Sequence, residues 1–347
     1  MTTQMAREIA AQPDTIAATL EALLAQRREL RRLAAGRRNV LLVARGTSDN
    51  AGVYGRYLLE VHAHLGAALA APSLATHYRV TRDLSDTLVL SLSQSGRTEE
   101  IVETQRWAAA GGARTVAIAN VADSPLAHEA DLALVLAAGE ELAVPATKSY
   151  TAQLTAIAVI ADALGSPAGS LEPILGRVPD EVARLLAARD GVEEAIDQLH
   201  RTDHTLVSGR GLVYGTALEV ALKLEETCLE PVRGLSYADL RHGPIAVVDD
   251  DVAAVLVSAG DGPLTAGMTE LARDLTGLEA RTIGIGGDAA FRASCGVHVP
   301  GPDLPETVAP LGLIIPAQLL VEGLARARGL DPDAPRGLSK VTQTDTT

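Results

Sequence analysis

Short, unbroken apolar runs alternate along the chain with stretches that carry helical spacing. VLLVA at 40–44 and TLVLSLS at 87–93 are runs of the first kind. A strand that is apolar on both faces belongs in a parallel sheet covered on both sides. The segments between them, 50–65 and 97–110, hold good helix formers at helical spacing. The pattern predicts α/β architecture built from βαβ units. It also repeats. NVLLVARG at 39–46 returns as HTLVSGRG at 204–211, DTLVLSLSQSG at 86–96 as DVAAVLVSAGDG at 251–262, and ARTVAIAN at 113–120 as ARTIGIGG at 280–287. The order is kept and the offset is nearly constant, which implies two duplicated lobes, each a parallel-sheet αβα sandwich. Residues 150–164 read as a long apolar helix, 165–169 as a breaker cluster and 178–199 as one amphipathic helix. The lobe boundary is expected near 195–203. The division is thus 1–200 for the first lobe with its N-terminal and linker helices, 201–330 for the second, and 331–347 for an extended tail holding Pro332, Pro335 and Gly337.

Composition narrows the function. With 347 residues there is ample core, but one Trp, one Phe and six Tyr mean it is aliphatic and offers no stacking platform for single-stranded nucleic acid. Thirty Lys and Arg against 44 Asp and Glu give a net charge of −14, so no basic face for a nucleic-acid partner is expected. An anionic ligand must therefore be held by local donors. The two cysteines, Cys228 and Cys295, read as buried thiols of a reducing compartment rather than a disulfide. Metal-ligand spacing is missing, and neither a metal nor another cofactor is expected. The N-terminus lacks an apolar signal segment. The most apolar late stretch, 308–321, is short for a bilayer and contains Pro310 and Pro316. The expectation is a cytoplasmic protein without a membrane partner.

The strongest chemical signal is SLSQSGRT at 91–98. Here an apolar strand runs into a small polar turn and a helix opens near Thr98. Ser93, Gln94, Ser95 and Thr98 bring hydroxyls, an amide and backbone N–H groups to a helix N-terminus, which suits a phosphate. The plainer reading is a helix cap. The second lobe's counterpart, at 258–262, has lost hydroxyls and gained Asp261, so one lobe binds the anion and the other is free for another role. RGTSDN at 45–50 also follows a strand and opens a helix, placing Thr47 and Ser48 beside that crevice. VPATK at 144–148 is a third candidate wall; its Lys148 could equally be a solvated surface charge. In the second lobe, Glu219, Lys223 and Glu226 share one face of a helix at 218–228 that is otherwise largely apolar. A carboxylate there can act as a base whose protonation is set by desolvation. His242, before Gly243-Pro244, sits in an irregular loop and can move protons near neutral pH.

Seven stretches in order give the chain a resemblance to the sugar isomerase (SIS) family over essentially its whole length. They are MAREIAAQP (5–13), GTSDNAG (46–52), LSQSGRT (92–98), ATKSYTAQ (146–153), ALEVALKLEE (217–226), LRHGP (240–244) and PRGLSK (335–340). The chain looks most like the isomerase half of glucosamine-6-phosphate synthase and the free-standing SIS-type glucosamine-6-phosphate deaminases. The resemblance implies two tandem flavodoxin-like SIS lobes and a hexosamine 6-phosphate substrate. It implies that Ser93, Gln94, Ser95 and Thr98 hold the 6-phosphate, with Thr47, Ser48, Val144 and Ala146 near phosphate and sugar. Glu226 would move a proton between carbons 1 and 2. His242 would assist ring opening from the neighbouring subunit of a homodimer, and Lys340 would approach the carbonyl. Ala146 stands where the synthase has a serine that touches sugar, which bears on tolerance for a 2-acetamido group. The chain opens at Met1-Thr2 without the synthase's glutaminase domain, so glutamine-driven amination is not expected. From the shared intermediate three exits remain open: isomerisation, deamination to fructose 6-phosphate and ammonia, or dehydration of N-acetylglucosamine 6-phosphate. A non-catalytic sugar-phosphate sensor is the reading from another class.

Overall fold

The computed structural model describes residues 2–202 and 204–340. Its strands form two five-stranded, all-parallel sheets. The first comprises β1 (Asn39–Val43), β2 (Gly66–Leu69), β3 (Thr87–Ser93), β4 (Arg114–Ala119) and β5 (Leu132–Val135), in the order β2-β1-β3-β4-β5. The second comprises β6 (His204–Gly209), β7 (Val232–Ser236), β8 (Val252–Ser258), β9 (Arg281–Gly286) and β10 (Val297–Val299), in the order β10-β9-β8-β6-β7. Taken from its β7 edge, the second sheet has the same order as the first. This is the flavodoxin-like order, and the duplication expected from the repeats is present at the level of topology.

Both central strands, β3 and β8, are buried at every position. Helices on the two faces explain why TLVLSLS and VAAVLVS alternate so little. Each fully buried Leu, Ile or Val in such a strand contributes about 1.5–3 kcal/mol. On one side of the first sheet Val43 and Val89 pack with Ile101, Val102 and Ala108 of the helix Glu99–Ala110. In the second sheet Leu206, Ala254 and Leu256 pack with Met268, Leu271 and Leu275 of the helix Thr265–Gly277.

The described residues fall into two compact units. The first-sheet unit holds Asp14–Glu141, Lys148–Gly176, Ser339 and Lys340; the second-sheet unit holds 2–13, Leu142–Thr147 and Arg177–Leu338. The N-terminal helix Gln4–Ala10, expected with the first lobe, therefore clusters with the second sheet. It is tied there by its backbone N–H groups: those of Gln4 and Met5 donate to the Asp333 carboxylate at 2.8 and 2.7 Å. The single helix expected over 178–199 is two, Val178–Ala187 and Val192–His200. Gly191, in the left-handed region at φ 71°, separates them, and a Cβ there would overlap the carbonyl oxygen of His298. The late apolar stretch is the helix Pro310–Ala327. It is the only described helix long and apolar enough by length and composition to cross a membrane, but 89% of it is buried inside the protein. Val178–Ala187, Val192–His200 and Tyr214–Cys228 all pack on it.

Candidate functional site

In the first-sheet unit the turn after β3 lies beside the turn after β1, because β1 and β3 are neighbours and β2 lies on the far side of β1. That reversal of strand order is where open α/β sheets take ligands. Ser93 closes the strand. Its Oγ accepts the Gly96 N–H at 3.1 Å and lies 3.5 Å from Thr98 Oγ1. Ser95 Oγ accepts the Arg97 N–H at 3.2 Å. The turn is braced from the next loop: Asn120 N–H donates to Gln94 O at 3.0 Å, and Leu126 N–H to Gly96 O at 3.1 Å. Gly96 adopts φ 63°, and a Cβ there would overlap Ser124 Oγ, so only glycine fits. Thr98 occupies the N-cap position of Glu99–Ala110, yet its hydroxyl makes no capping hydrogen bond. The plainer reading, a hydroxyl spent on capping, does not describe Thr98.

After β1, Gly46 turns the chain at φ 56° into the helix Thr47–His62. Ser48 is buried, and its Oγ accepts from Gln153 Nε2 at 2.9 Å. Burial pushes the Asp49 carboxyl above its ordinary value, against the pull of Arg45. Arg45 forms a two-point pair with the buried Glu100, Nε to Oε2 at 3.0 Å and Nη2 to Oε1 at 2.8 Å, joining the two turns.

Lys148 is not a solvated charge. It is buried at the start of the helix Lys148–Leu164, and its Nζ donates to Glu140 O at 2.6 Å. Next to it lies a carboxylate that sequence reasoning missed. Glu141 is wholly buried. It accepts from Ser149 N–H at 3.0 Å, Ser149 Oγ at 2.6 Å and Lys340 Nζ at 2.9 Å. Burial pushes its carboxyl up, but the Lys340 ammonium and the Ser149 hydrogen bonds outweigh that and hold it below the ordinary carboxylate value. No local signal marked Glu141, since one partner lies eight residues on and the other in the tail.

The remaining candidates belong to the second-sheet unit. Glu219, Lys223 and Glu226 do share a face of Tyr214–Cys228, with Glu219 and Lys223 fully buried and Glu226 about a quarter exposed. Lys223 Nζ lies 3.5 Å from Glu219 Oε1 and hydrogen-bonds Glu226 Oε2. Glu226 thus stands beside a buried ammonium. His242 caps the short helix Tyr237–Arg241, exposed ahead of Gly243 at φ 136°. Val144 N–H donates to Asp333 O at 2.9 Å, which ties the 144–146 segment to the start of the tail, and Ala146 is partly exposed. In the second sheet's counterpart of the 93–98 turn, Asp261 accepts the Glu306 N–H at 2.7 Å. Burial, aided by Asp261, raises the Glu306 carboxyl. Two acids stand where the first sheet presents hydroxyls. Among the described residues no group of three or more His, Cys, Asp or Glu is arranged to hold a metal ion.

Residues 34–163, spanning the turns after β1 and β3, match the SIS domain family. The chain carries an SIS domain. Over 309 residues it is 36% identical to the isomerizing glutamine–fructose-6-phosphate aminotransferase of Methanothermobacter thermautotrophicus, an alignment covering 87% of this chain and 51% of that protein. The chain spans about half the length of the curated relatives it matches. The C-terminal domain of glucosamine-fructose-6-phosphate aminotransferase from Francisella tularensis superposes with a TM-score of 0.83 at 28% identity, covering 96% of this chain and 98% of that domain. Glucosamine-6-phosphate deaminase from Thermotoga maritima shares the fold, with a TM-score of 0.78 at 24% identity over 98% of this chain and all of that one. The two parallel sheets are two tandem SIS lobes, and the chain is homologous to isomerase domains of this family.

Proposed function

We propose that this chain is an enzyme acting on hexosamine 6-phosphates, converting glucosamine 6-phosphate and water to fructose 6-phosphate and ammonia. The observation that carries the reading is the 93–98 turn. It has two serine hydroxyls, a threonine hydroxyl not used for capping and a glycine-tight bend at a helix N-terminus, in an SIS domain whose relatives are named for glucosamine and fructose 6-phosphates.

In this reading Ser93, Gln94, Ser95 and Thr98 hold the 6-phosphate, with Thr47 and Ser48 beside it. Val144 and Ala146 line the sugar. His242, reaching in from a second copy of the chain, transfers a proton to the ring oxygen as the bond from carbon 1 to that oxygen breaks, and the hydroxyl on carbon 1 gives up its proton to water to form the aldehyde. The Glu226 carboxylate takes the hydrogen on carbon 2 as a proton. The electron pair moves to form the carbon 1–carbon 2 double bond, and the carbonyl oxygen is protonated to give an enolamine, with the Lys340 ammonium opposite that oxygen. Return of the proton to carbon 1 leaves an iminium, the protonated imine, at carbon 2; water adds to it, a proton passes from that water to the nitrogen, and ammonia departs as the remaining hydroxyl proton is lost, leaving the ketone. A positioned acid–base pair of this kind contributes about 10²–10⁴ in rate.

A second reading shares every step up to proton abstraction. Ala146 removes the serine hydroxyl that would contact sugar, which leaves room for a 2-acetamido group. On N-acetylglucosamine 6-phosphate the electron pair from carbon 2 would instead expel the hydroxyl on carbon 3 as water, giving an enal.

The test is to incubate the chain with each sugar phosphate and follow ammonia, fructose 6-phosphate and ultraviolet absorption of a conjugated enal. Ammonia and fructose 6-phosphate in equal amounts support deamination. Enal absorption from the acetylated sugar alone supports dehydration. Binding without any product overturns both and favours a sensor.

A further inference from the structure

We propose that Arg45 is a positioning residue of the phosphate site, which acts by cancelling the charge of Glu100 at the helix end offered to the anion. The inference rests on the reading of residues 93–98 as the phosphate cradle.

The helix Glu99–Ala110 begins with two carboxylates directly after that cradle. Acids in a first turn normally profit from the positive helix end. Here that end is the resource the phosphate needs, and it amounts to about half an elementary charge. A full negative charge on Glu100 outweighs it, and a phosphate monoester brings a further charge of about −1.5 to −2. The Glu100 side chain is only 7% exposed, so solvent does little to screen it. Arg45 supplies what is missing. Its guanidinium engages both oxygens of Glu100, at 3.0 and 2.8 Å. A planar fork matched to a carboxylate makes this two-point contact, which an ammonium does not. Because Arg45 follows β1 and Glu100 follows β3, the pair also fixes the two turns that meet at the reversal of strand order. The protein as a whole carries a charge of −14, so cancellation has to be local.

Titration of the full chain with fructose 6-phosphate, and separately with inorganic phosphate, tests this by a double-variant cycle. Arg45→Met is expected to weaken both ligands by about tenfold or more. Glu100→Gln is expected to tighten them severalfold, since it releases the guanidinium charge from its two-point partner, with the Asp49 carboxyl still acting on it. The combined variant is expected to return to within about threefold of the wild type. If the combined variant stays as weak as Arg45→Met, Arg45 touches the phosphate itself and the inference is overturned. If Glu100→Gln weakens binding as much as Arg45→Met does, the pair is only a brace and the inference is likewise overturned. Ser95→Asp in the same titration separates the underlying reading: an affinity unchanged by that substitution would mean that the phosphate lies elsewhere, and the inference would fall with it.

Discussion

Glu226 and Ser95 carry opposite kinds of claim and are separable by measurement. An acid–base group acts in the transition state, so Glu226→Gln is predicted to abolish turnover of hexosamine 6-phosphates while leaving their affinity within about tenfold, as read by steady-state rates beside direct binding. Full activity in that variant would remove Glu226 from the chemistry. Ser95→Asp puts a negative charge into a turn whose hydroxyl accepts the Arg97 N–H, and is predicted to cost binding while leaving the melting temperature nearly unchanged. Gly96 is different. Its φ of 63° and the overlap of any added Cβ with Ser124 Oγ mean that Gly96→Ala must both strain the backbone and displace the Ser124 cap. The expected cost is about 1–3 kcal/mol, seen as a lowered melting temperature together with weakened phosphate binding. Unaltered values for both would show that the turn tolerates repacking.

At the scale of elements, the contact between the tail and the start of the helix Lys148–Leu164 makes stability depend on pH. The folded chain holds the Glu141 carboxyl below its ordinary value of 4.5, because Lys340 and Ser149 outweigh burial. The unfolded chain therefore takes up that proton first as the pH falls. The stability this group contributes is present above about pH 4.5 and is lost progressively as pH drops through the folded value. Glu141→Gln is predicted to lower the melting temperature at pH 7 and to flatten its fall between neutrality and mild acid; a slope equal to the wild type's would show that other carboxylates dominate. The inner strands β1, β3, β4, β6, β8 and β9 were legible because apolar runs such as TLVLSLS and VAAVLVS are local signals. The edge strands β2 and β10 were not: GAAL lacks the β-branched and aromatic residues that mark strands, and VHV is only three residues long. The break at Gly191 was missed because the periodicity of 178–199 resumes after it, and one left-handed residue leaves the helical pattern intact on both sides.

At the scale of the whole molecule, internal repetition foretold two lobes, since three repeated strand motifs recur at nearly the same spacing; that the two sheets share one strand order is seen only in the structure. Membership of the units was less legible. Glu8 accepts from the N–H groups of Leu142 and Ala143, at 2.6 and 3.3 Å, and Val144 N–H donates to Asp333 O. These contacts gather the N-terminal helix, the 142–147 segment and the start of the tail into the second-sheet unit, and no periodicity encodes them. The candidate site was legible where it is a local motif, as in the 93–98 turn, and silent where it depends on distant partners, as with Glu141 and Glu100. The proposed donation of His242 by a second copy makes a prediction of its own. Mixing inactive Glu226→Gln with inactive His242→Asn chains is expected to restore part of the activity, because a mixed dimer regains one intact pairing of Glu226 with His242. Persistent inactivity after subunit exchange would place both residues in one copy.

The central claim is the proposal that a carboxylate of this chain removes the hydrogen on carbon 2 of a hexosamine 6-phosphate. The most direct measurement uses glucosamine 6-phosphate and its N-acetyl form, each carrying deuterium at carbon 2, with nuclear magnetic resonance following the label in ordinary water. The wild-type chain is predicted to deplete the label from carbon 2 of one of them, and Glu226→Gln is predicted to retain it while still binding the sugar. Retention of deuterium in both sugars by the wild type, or equal loss in the variant, would contradict the account.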